Sequence, residues 1–252
     1  MYCLRSPLRY LPKVYVIGCG GTGGFVAAGL CRLLDPTASL VLVDPDRVEP
    51  RNLLRQNFYA ADLGEFKSKA LAERLARDFD RAVGYATVPI SLVGSGGASL
   101  FIGCVDNGPA RAQIAAKVAN GHADWWLDAG NGENYGQVII GNQGKPPYML
   151  YKGDWNDLPS PTVQRPDLLA QKGPAFVPSC AGAVAAGDQG PVINQAMAAI
   201  VLEMTRRLLA GRLNWLQVFL DLEAGAMTTV AATPENVAKI CGLRIDQITE
   251  RR

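Results

Sequence analysis

A chain of 252 residues with 48% hydrophobic content can bury one sizeable core, so one domain, or one domain with an insertion, is the default. Its formal charge of +2 is too small to point to nucleic acid as a partner. No apolar run of about 20 residues lacks glycine breaks, which argues against a membrane span and for a cytoplasmic protein.

Residues 1–12 contain Pro7 and Pro12 and are unsuited to a long N-terminal helix. Arg5, Arg9 and Lys13 precede an apolar run in the manner of a signal peptide, but five glycines between Gly18 and Gly24 argue against a continuous helix there. Val14 to Ile17 is a β-branched and aromatic run, predicted to be a strand. It passes directly into Gly18-Cys19-Gly20-Gly21-Thr22-Gly23-Gly24, and then into a helical pattern carried by Val26, Ala27, Leu30, Leu33 and Leu34. A second strand, Leu40 to Val43, ends on Asp44. This succession is the first half of a Rossmann-type nucleotide site. Its glycines let the backbone approach a phosphate at the helix N-terminus, and Asp44 is placed to accept from a ribose hydroxyl.

Many nucleotides use such a turn, so the residues that follow decide between them. Asp44-Pro45-Asp46 leads to Asn52-Leu53-Leu54-Arg55-Gln56, and Lys67 closes the series. A dinucleotide has little use for an added Arg and Lys beside its phosphates, whereas a triphosphate needs its charge neutralised and its leaving group oriented. Ala70, Leu71, Leu75 and Phe79 then mark an amphipathic helix, and Val83 to Val88 a strand, with Pro89 onward near the base. Leu100 to Val105 reads as a buried strand ending on Asp106-Asn107, with a helix over Arg111 to Asn120. Asp106 at that strand end faces the ligand crevice, or else caps the following helix.

His122, the sole histidine, reads as a surface or packing residue, which weakens dehydrogenase and triad readings. Trp125 to Leu127 is predicted as a strand, Asp128 to Gly132 as a turn, and Tyr135 to Ile140 as a returning strand. Residues 142–178 hold seven prolines and no apolar periodicity, the pattern of a long functional or mobile loop. It leads to Pro178-Ser179-Cys180. A helix over Pro191 to Leu209 presents Val192, Ala196, Ile200 or Val201, Met204 and Leu208 as a stripe, stopped by Gly211. Strands over Trp215 to Leu222 and Met227 to Ala232, and a helix over Pro234 to Ile240, close the chain.

The order G-x-G-G-x-G, D-x-D, N-L-x-R-Q and lysine resembles the ThiF/MoeB family, adenylating enzymes related to ubiquitin-activating enzymes. Cys104-Val105-Asp106-Asn107 resembles that family's C-T-D-N stretch. The resemblance covers most of residues 13–232. It implies an α/β, Rossmann-like three-layer fold with a mostly parallel central sheet and an antiparallel C-terminal extension. Residues 1–252 would form a single adenylation domain, with the Pro-rich stretch at about 142–178 as a crossover loop.

The implied activity is ATP-dependent adenylation of a carboxylate with magnesium. Gly18, Gly20, Gly21 and Gly23 would support the phosphates and Asp44 the ribose, with Asp46 and Gln56 in the same nucleotide site. Asn52, Arg55 and Lys67 would orient the triphosphate, and Asp106 would hold Mg²⁺. Several relatives carry a structural zinc on paired C-x-x-C motifs; the six cysteines here form no such pair, so no zinc is expected. Cys180 would either take the activated acyl group as a thioester or be an unreactive thiol in an Ala/Gly-rich segment. The Pro191 to Leu209 stripe serves either a homodimer interface, as in relatives, or the core. An arginine supplied by a neighbouring subunit has no assignable counterpart.

By analogy the partner is a small ubiquitin-like or sulfur-carrier protein activated at its C-terminal glycine. The Pro178-Ser179-Cys180 segment and Asp188-Gln189…Ile193-Asn194 further resemble the ThiF-like component of PRTRC systems. Other readings stand beside this one. A tRNA-borne or peptide carboxylate would use the same ATP residues. An NAD-binding Rossmann oxidoreductase leaves Arg55 and Lys67 without purpose, and a non-catalytic scaffold would need a damaged motif, of which none is visible.

Overall fold

A computed structural model describes residues 13–94, 99–120, 124–144, 151–152, 155–170 and 191–249. Five strands form a parallel half-sheet: β1 Lys13–Ile17, β2 Ser39–Val43, β3 Val83–Ala86, β4 Ser99–Gly103 and β5 Trp125–Asn131. An antiparallel extension follows, made by β6 Tyr135–Gly141 and, after the short hairpin β7 Tyr151–Lys152 and β8 Trp155–Asn156, by β9 Trp215–Asp221 and β10 Ala226–Ala231. The sheet order is β10-β9-β6-β5-β4-β1-β2-β3. Its direction of winding reverses between β1 and β4, and a ligand crevice belongs at such a switch point.

The helices are α1 Gly21–Leu33, α2 Lys67–Phe79, α3 Gly108–Asn120, the single turn α4 Pro161–Gln164, α5 Pro191–Leu209, α6 Pro234–Cys241 and α7 Ile245–Ile248. Strand alternation divides the core between the two sheet faces. Val14, Val16, Leu100 and Ile102 join a large cluster with Val26, Leu30, Met197 and Met204 from α1 and α5. Tyr15, Ile17, Phe101 and Trp126 point the other way and meet Ile114 and Val118 of α3. This is the three-layer, mostly parallel α/β architecture with antiparallel C-terminal strands.

The α5 stripe is shifted from its expected course: Val192 is exposed and Ala196 half-buried, while Ile193, Met197, Val201, Met204 and Leu208 are fully buried within this chain. Close approach of α5 to α1 depends on Gly29, where a Cβ would come within 2.2 Å of Leu202 Cδ1. Helix α6 starts as its sequence requires, with Pro234 in the first turn and Thr233 Oγ1 accepting from Asn236 N–H, and ends on left-handed Gly242.

Several sequence boundaries are corrected. Asp128 to Asn131 is strand, not turn: β5 pairs with β6 as far as Asn131↔Gly136. Gly130 suggested a turn by its type, but it has no left-handed φ. The Pro-rich stretch holds more structure than its composition suggested, since Leu158, Leu168 and Gln164 are buried. Gln164 Nε2 donates to Ile140 O and Pro159 O, and Gln217 Nε2 donates to Gln164 Oε1, which fixes α4 on the sheet through polar contacts that apolar periodicity cannot reveal. Strand β3 ends at Ala86 rather than Val88, and β4 occupies Ser99–Gly103 rather than running to Val105.

Candidate functional site

The C-terminal ends of β1, β2 and β4 open into a cleft of about 1460 Å³. Gly18 makes the first turn there with φ +86°, and a Cβ would sit 2.5 Å from Cys104 O, so both its dihedral and its surroundings require glycine. Its N–H donates to Val43 O at 2.9 Å. Helix α1 then begins at Gly21 with no side-chain cap, and Gly20, Gly21 and Thr22 line the cleft. Uncapped amides at the start of a 13-residue helix suit an anion. Gly23 has a different use: a Cβ there would lie 1.8 Å from Gly18 O, so it permits helix and turn to pack and does not line the cleft.

Asp44 ties the second strand to this turn. It is 5% exposed; its Oδ2 accepts from Cys19 N–H at 2.7 Å and its Oδ1 from Asp46 N–H at 2.8 Å. Burial raises its pKa, while Lys67 and the two backbone donors pull the other way. Lys67 begins α2, where its charge opposes the helix dipole, and its Nζ lies 3.0 Å from Asp46 Oδ2. Ser68 Oγ contacts both Asp44 O and Ala86 O, so the lysine's backbone is held against two strand ends.

The 3-10 turn Pro50–Leu54 forms the next wall. Asn52 is buried, its Oδ1 accepting from Glu49 N–H at 2.8 Å while its backbone N–H donates to Glu49 O. It shapes the turn and does not line the cleft, in contrast to the nucleotide contact its motif position suggested. Arg51, Leu54, Arg55 and Gln56 do line it. Gln56 places its amide over Gly20, 3.5 Å from where a Cβ would be, and its buried Oε1 finds no donor among the described residues.

The helix-cap alternative for the strand-end acid is corrected. Asn107, not Asp106, caps α3, its Oδ1 accepting from Ala110 N–H at 2.9 Å. Asp106 is exposed on the cleft and accepts from Asn107 Nδ2 at 3.1 Å through Oδ1. Beneath it lies a buried ion pair that the sequence reading missed. Arg111 Nε reaches both oxygens of Asp128, at 3.1 and 3.0 Å, with the two side chains 1% and 0% exposed. Arg111 Nη2 donates to Val105 O at 2.7 Å, so the pair holds the loop that carries Asp106. Burial pushes the Asp128 carboxyl up to about 6 against the pull of Arg111. The signal was present in the sequence: Arg111, Ile114 and Val118 share one helical stripe, and all three are buried.

A second missed cluster joins α1, β5 and α5. Thr22 Oγ1 donates toward Asn131 Oδ1 and Asn194 Oδ1, and Asn131 Nδ2 donates to Asn194 Oδ1 at 3.1 Å. Asn194 Nδ2 lies 2.2 Å from where a Cβ on Gly21 would be, so that glycine is needed for packing under the helix start. Beyond Asn131 the cleft continues over β6, β9 and β10, where Tyr135, Gln137, Phe219, Asp221 and Thr228 line it beside Arg165.

Thus Gly18, Gly20, Gly21, Asp44, Asp46, Arg55, Gln56, Lys67 and Asp106 meet in one cleft, with Asn52 and Gly23 behind its wall. Pro89 and Ile90 line it as well. Cys180 and His122 lie outside the described residues. Among the described cysteines, burial raises the thiol pKa of Cys19, Cys31, Cys104 and Cys241, which keeps them protonated at neutral pH. No cluster of three or more His, Cys, Asp or Glu suited to a metal occurs among the described residues, and none of their helices is long and apolar enough to cross a membrane.

Fold and cleft together define an α/β nucleotide-binding protein whose cleft joins a glycine turn to Arg55 and Lys67. The model of the ThiF family matches residues 7–210, and the chain belongs to that family of ATP-dependent adenylating enzymes. Among solved structures it is similar to PaaA, at TM-score 0.62 and 18% identity, over 90% of this chain and 74% of that one. It is also similar to E. coli MccB crystallised with ATP, at TM-score 0.58 and 15% identity, over 87% of this chain and 63% of that one. The E. coli MccB structure with AMPCPP and MccA gives TM-score 0.58 at 16% identity, over 89% of this chain and 64% of that one. No curated protein matches the chain.

Proposed function

We propose that this protein uses ATP to adenylate the C-terminal carboxylate of a small ubiquitin-like or sulfur-carrier protein. The observation that carries the reading is the convergence of the glycine turn, Arg55, Lys67 and Asp106 on one cleft. A carboxylate oxygen attacks the α-phosphorus, the bond to the bridging oxygen breaks, and pyrophosphate leaves with the negative charge. The protein's part is positioning and charge neutralisation.

In this reading the uncapped start of α1 and the Gly18–Gly20 turn receive phosphate oxygens, and Asp44 accepts from the ribose while its backbone bonds keep it fixed. Arg55 and Lys67 hold the departing pyrophosphate; Lys67 is kept in reach by Asp46. Asp106, exposed on the cleft and not used as a helix cap, fits Mg²⁺, which takes one or two carboxylates and completes its shell with phosphate and water oxygens. When bound, the ion would neutralise phosphate charge. Asn52 acts indirectly, by setting the turn that carries Arg55.

The protein partner is supported by the cleft's length, which continues past the phosphate end over β6, β9 and β10. The same feature accommodates a peptide carboxylate, and the MccB structures crystallised with MccA favour keeping that as the second reading. We place the chain among ThiF-like components of PRTRC systems on its Pro178-Ser179-Cys180 and Ile193-Asn194 segments. ATP–pyrophosphate exchange dependent on the candidate carrier tests the proposal. Exchange with a carrier supports it; exchange only with a short peptide selects the second reading. If Cys180→Ser exchanges normally but forms no thioester, adenylation precedes transfer to that thiol.

A further inference from the structure

Besides the motif's Arg55 and Lys67, the cleft is lined by Arg51, Arg111 and Arg165. Arg51 precedes Asn52 and lies on the 3-10 turn Pro50–Leu54. In a 3-10 turn, residues three apart eclipse, so Arg51 and Leu54 share a face, and both line the cleft. Asn52 and Leu53 take the opposite side, the first buried and the second packed on the core. The turn is anchored at both ends of the phosphate site. Val48 N–H bonds Glu65 O and Gly64 N–H bonds Val48 O, close to the start of Lys67's helix, while Gln56 lies over Gly20. Arg51 therefore stands on a fixed bridge between the lysine and the glycine turn.

Four ion pairs among the described residues involve cations that line this cleft, and their exposures separate them. Arg111–Asp128 is 1% and 0% exposed, Lys67–Asp46 11% and 67%, Arg165–Asp167 36% and 54%, and Arg51–Glu49 69% and 52%. The Arg51 pair, 2.5 Å long between Nε and Glu49 Oε2, is held most weakly against solvent despite its short contact. A guanidinium so placed exchanges a carboxylate readily for phosphate oxygens, which carry more charge and suit its fork of donors.

Building on the ATP reading, we propose that Arg51 is a third cation for the triphosphate, leaving Glu49 to pair with the outer phosphates alongside Arg55 and Lys67. The α-phosphate is served by the glycine turn, so Arg51 distinguishes ATP from AMP. Calorimetric titration of the intact chain with ATP·Mg and with AMP, in wild type, Arg51→Ala and Arg51→Lys, tests this. Arg51→Ala is expected to weaken ATP by about tenfold or more while AMP stays within about twofold, with Arg51→Lys between. An unchanged ATP affinity in Arg51→Ala, or an equal loss for ATP and AMP, overturns the proposal and leaves the adenylation reading standing. Failure of the wild type itself to bind ATP overturns both.

Discussion

The two ends of the cleft are built differently. At the β1–β2–β4 end several lining groups are fixed by something behind them: Gly18 by its φ and by Cys104 O, Asp44 by two backbone donors, and Arg55's turn by Asn52. The loop bearing Asp106 is held by Arg111, itself locked to Asp128. At the β6–β9–β10 end the ladder sets most positions, with Arg165 Nη1 donating to Gln137 Oε1, and several side chains stand in solvent. Tyr135 is 65% exposed, and Asp221 and Thr228 are exposed too. Register places Tyr135, Asp221 and Ala226 in one row, and Gln137, Phe219 and Thr228 in the next, on the same face. The contrast teaches that the end suited to phosphates is preorganised by backbone and buried charge, whereas the other end is a platform whose side chains can be exchanged without disturbing the fold.

Breaking the supports of the first end gives the largest effects. Asp128→Ala leaves Arg111 buried without its partner, which costs about 3–5 kcal/mol of stability, measured as a lowered urea midpoint. Asp106→Ala removes an exposed carboxylate, so the midpoint stays while pyrophosphate exchange falls by about 100-fold or more. Normal exchange in that variant would refute the metal role. At the platform, Phe219→Ala is expected to raise KM for the carrier by about tenfold with KM for ATP unchanged. An equal change in both constants would erase the division between the two ends.

The smallest effect belongs to neither end. Arg206 and then Arg207 hold the Glu203 carboxyl on α5 down to about 2 from its ordinary 4.5. A depressed carboxylate contributes stability above its unfolded pKa and loses it as pH falls through the folded one, so the window runs from about 4.5 down to about 2. Glu203→Gln should flatten that acid limb by less than about 1 kcal/mol, because the pair is partly exposed. Urea midpoints at several pH values would show it.

Much of the phosphate end could be read directly from residue order, because its physics is local: a glycine turn, a strand-end acid and a lysine at a helix start leave marks at fixed spacing. What stayed hidden depends on contacts between distant segments. Asn52 sits in the motif yet serves as a buried cap, and residue order alone did not show that Asn107 and not Asp106 caps the next helix. Asp128 looked like part of a glycine turn because its partner lies 17 positions earlier on another element. Residues 158–168 gave no periodicity because Gln164 anchors them through its amide. The antiparallel strands were recognisable as strands, but only their register shows which side chains share the cleft face.

The central claim is that this cleft is shaped for a triphosphate with magnesium and not for a dinucleotide. Calorimetric titration of the intact chain with ATP·Mg and, in the same buffer, with NAD measures it directly. Binding of ATP·Mg with no heat from NAD is the predicted result. Tight NAD binding with indifference to ATP·Mg would contradict it.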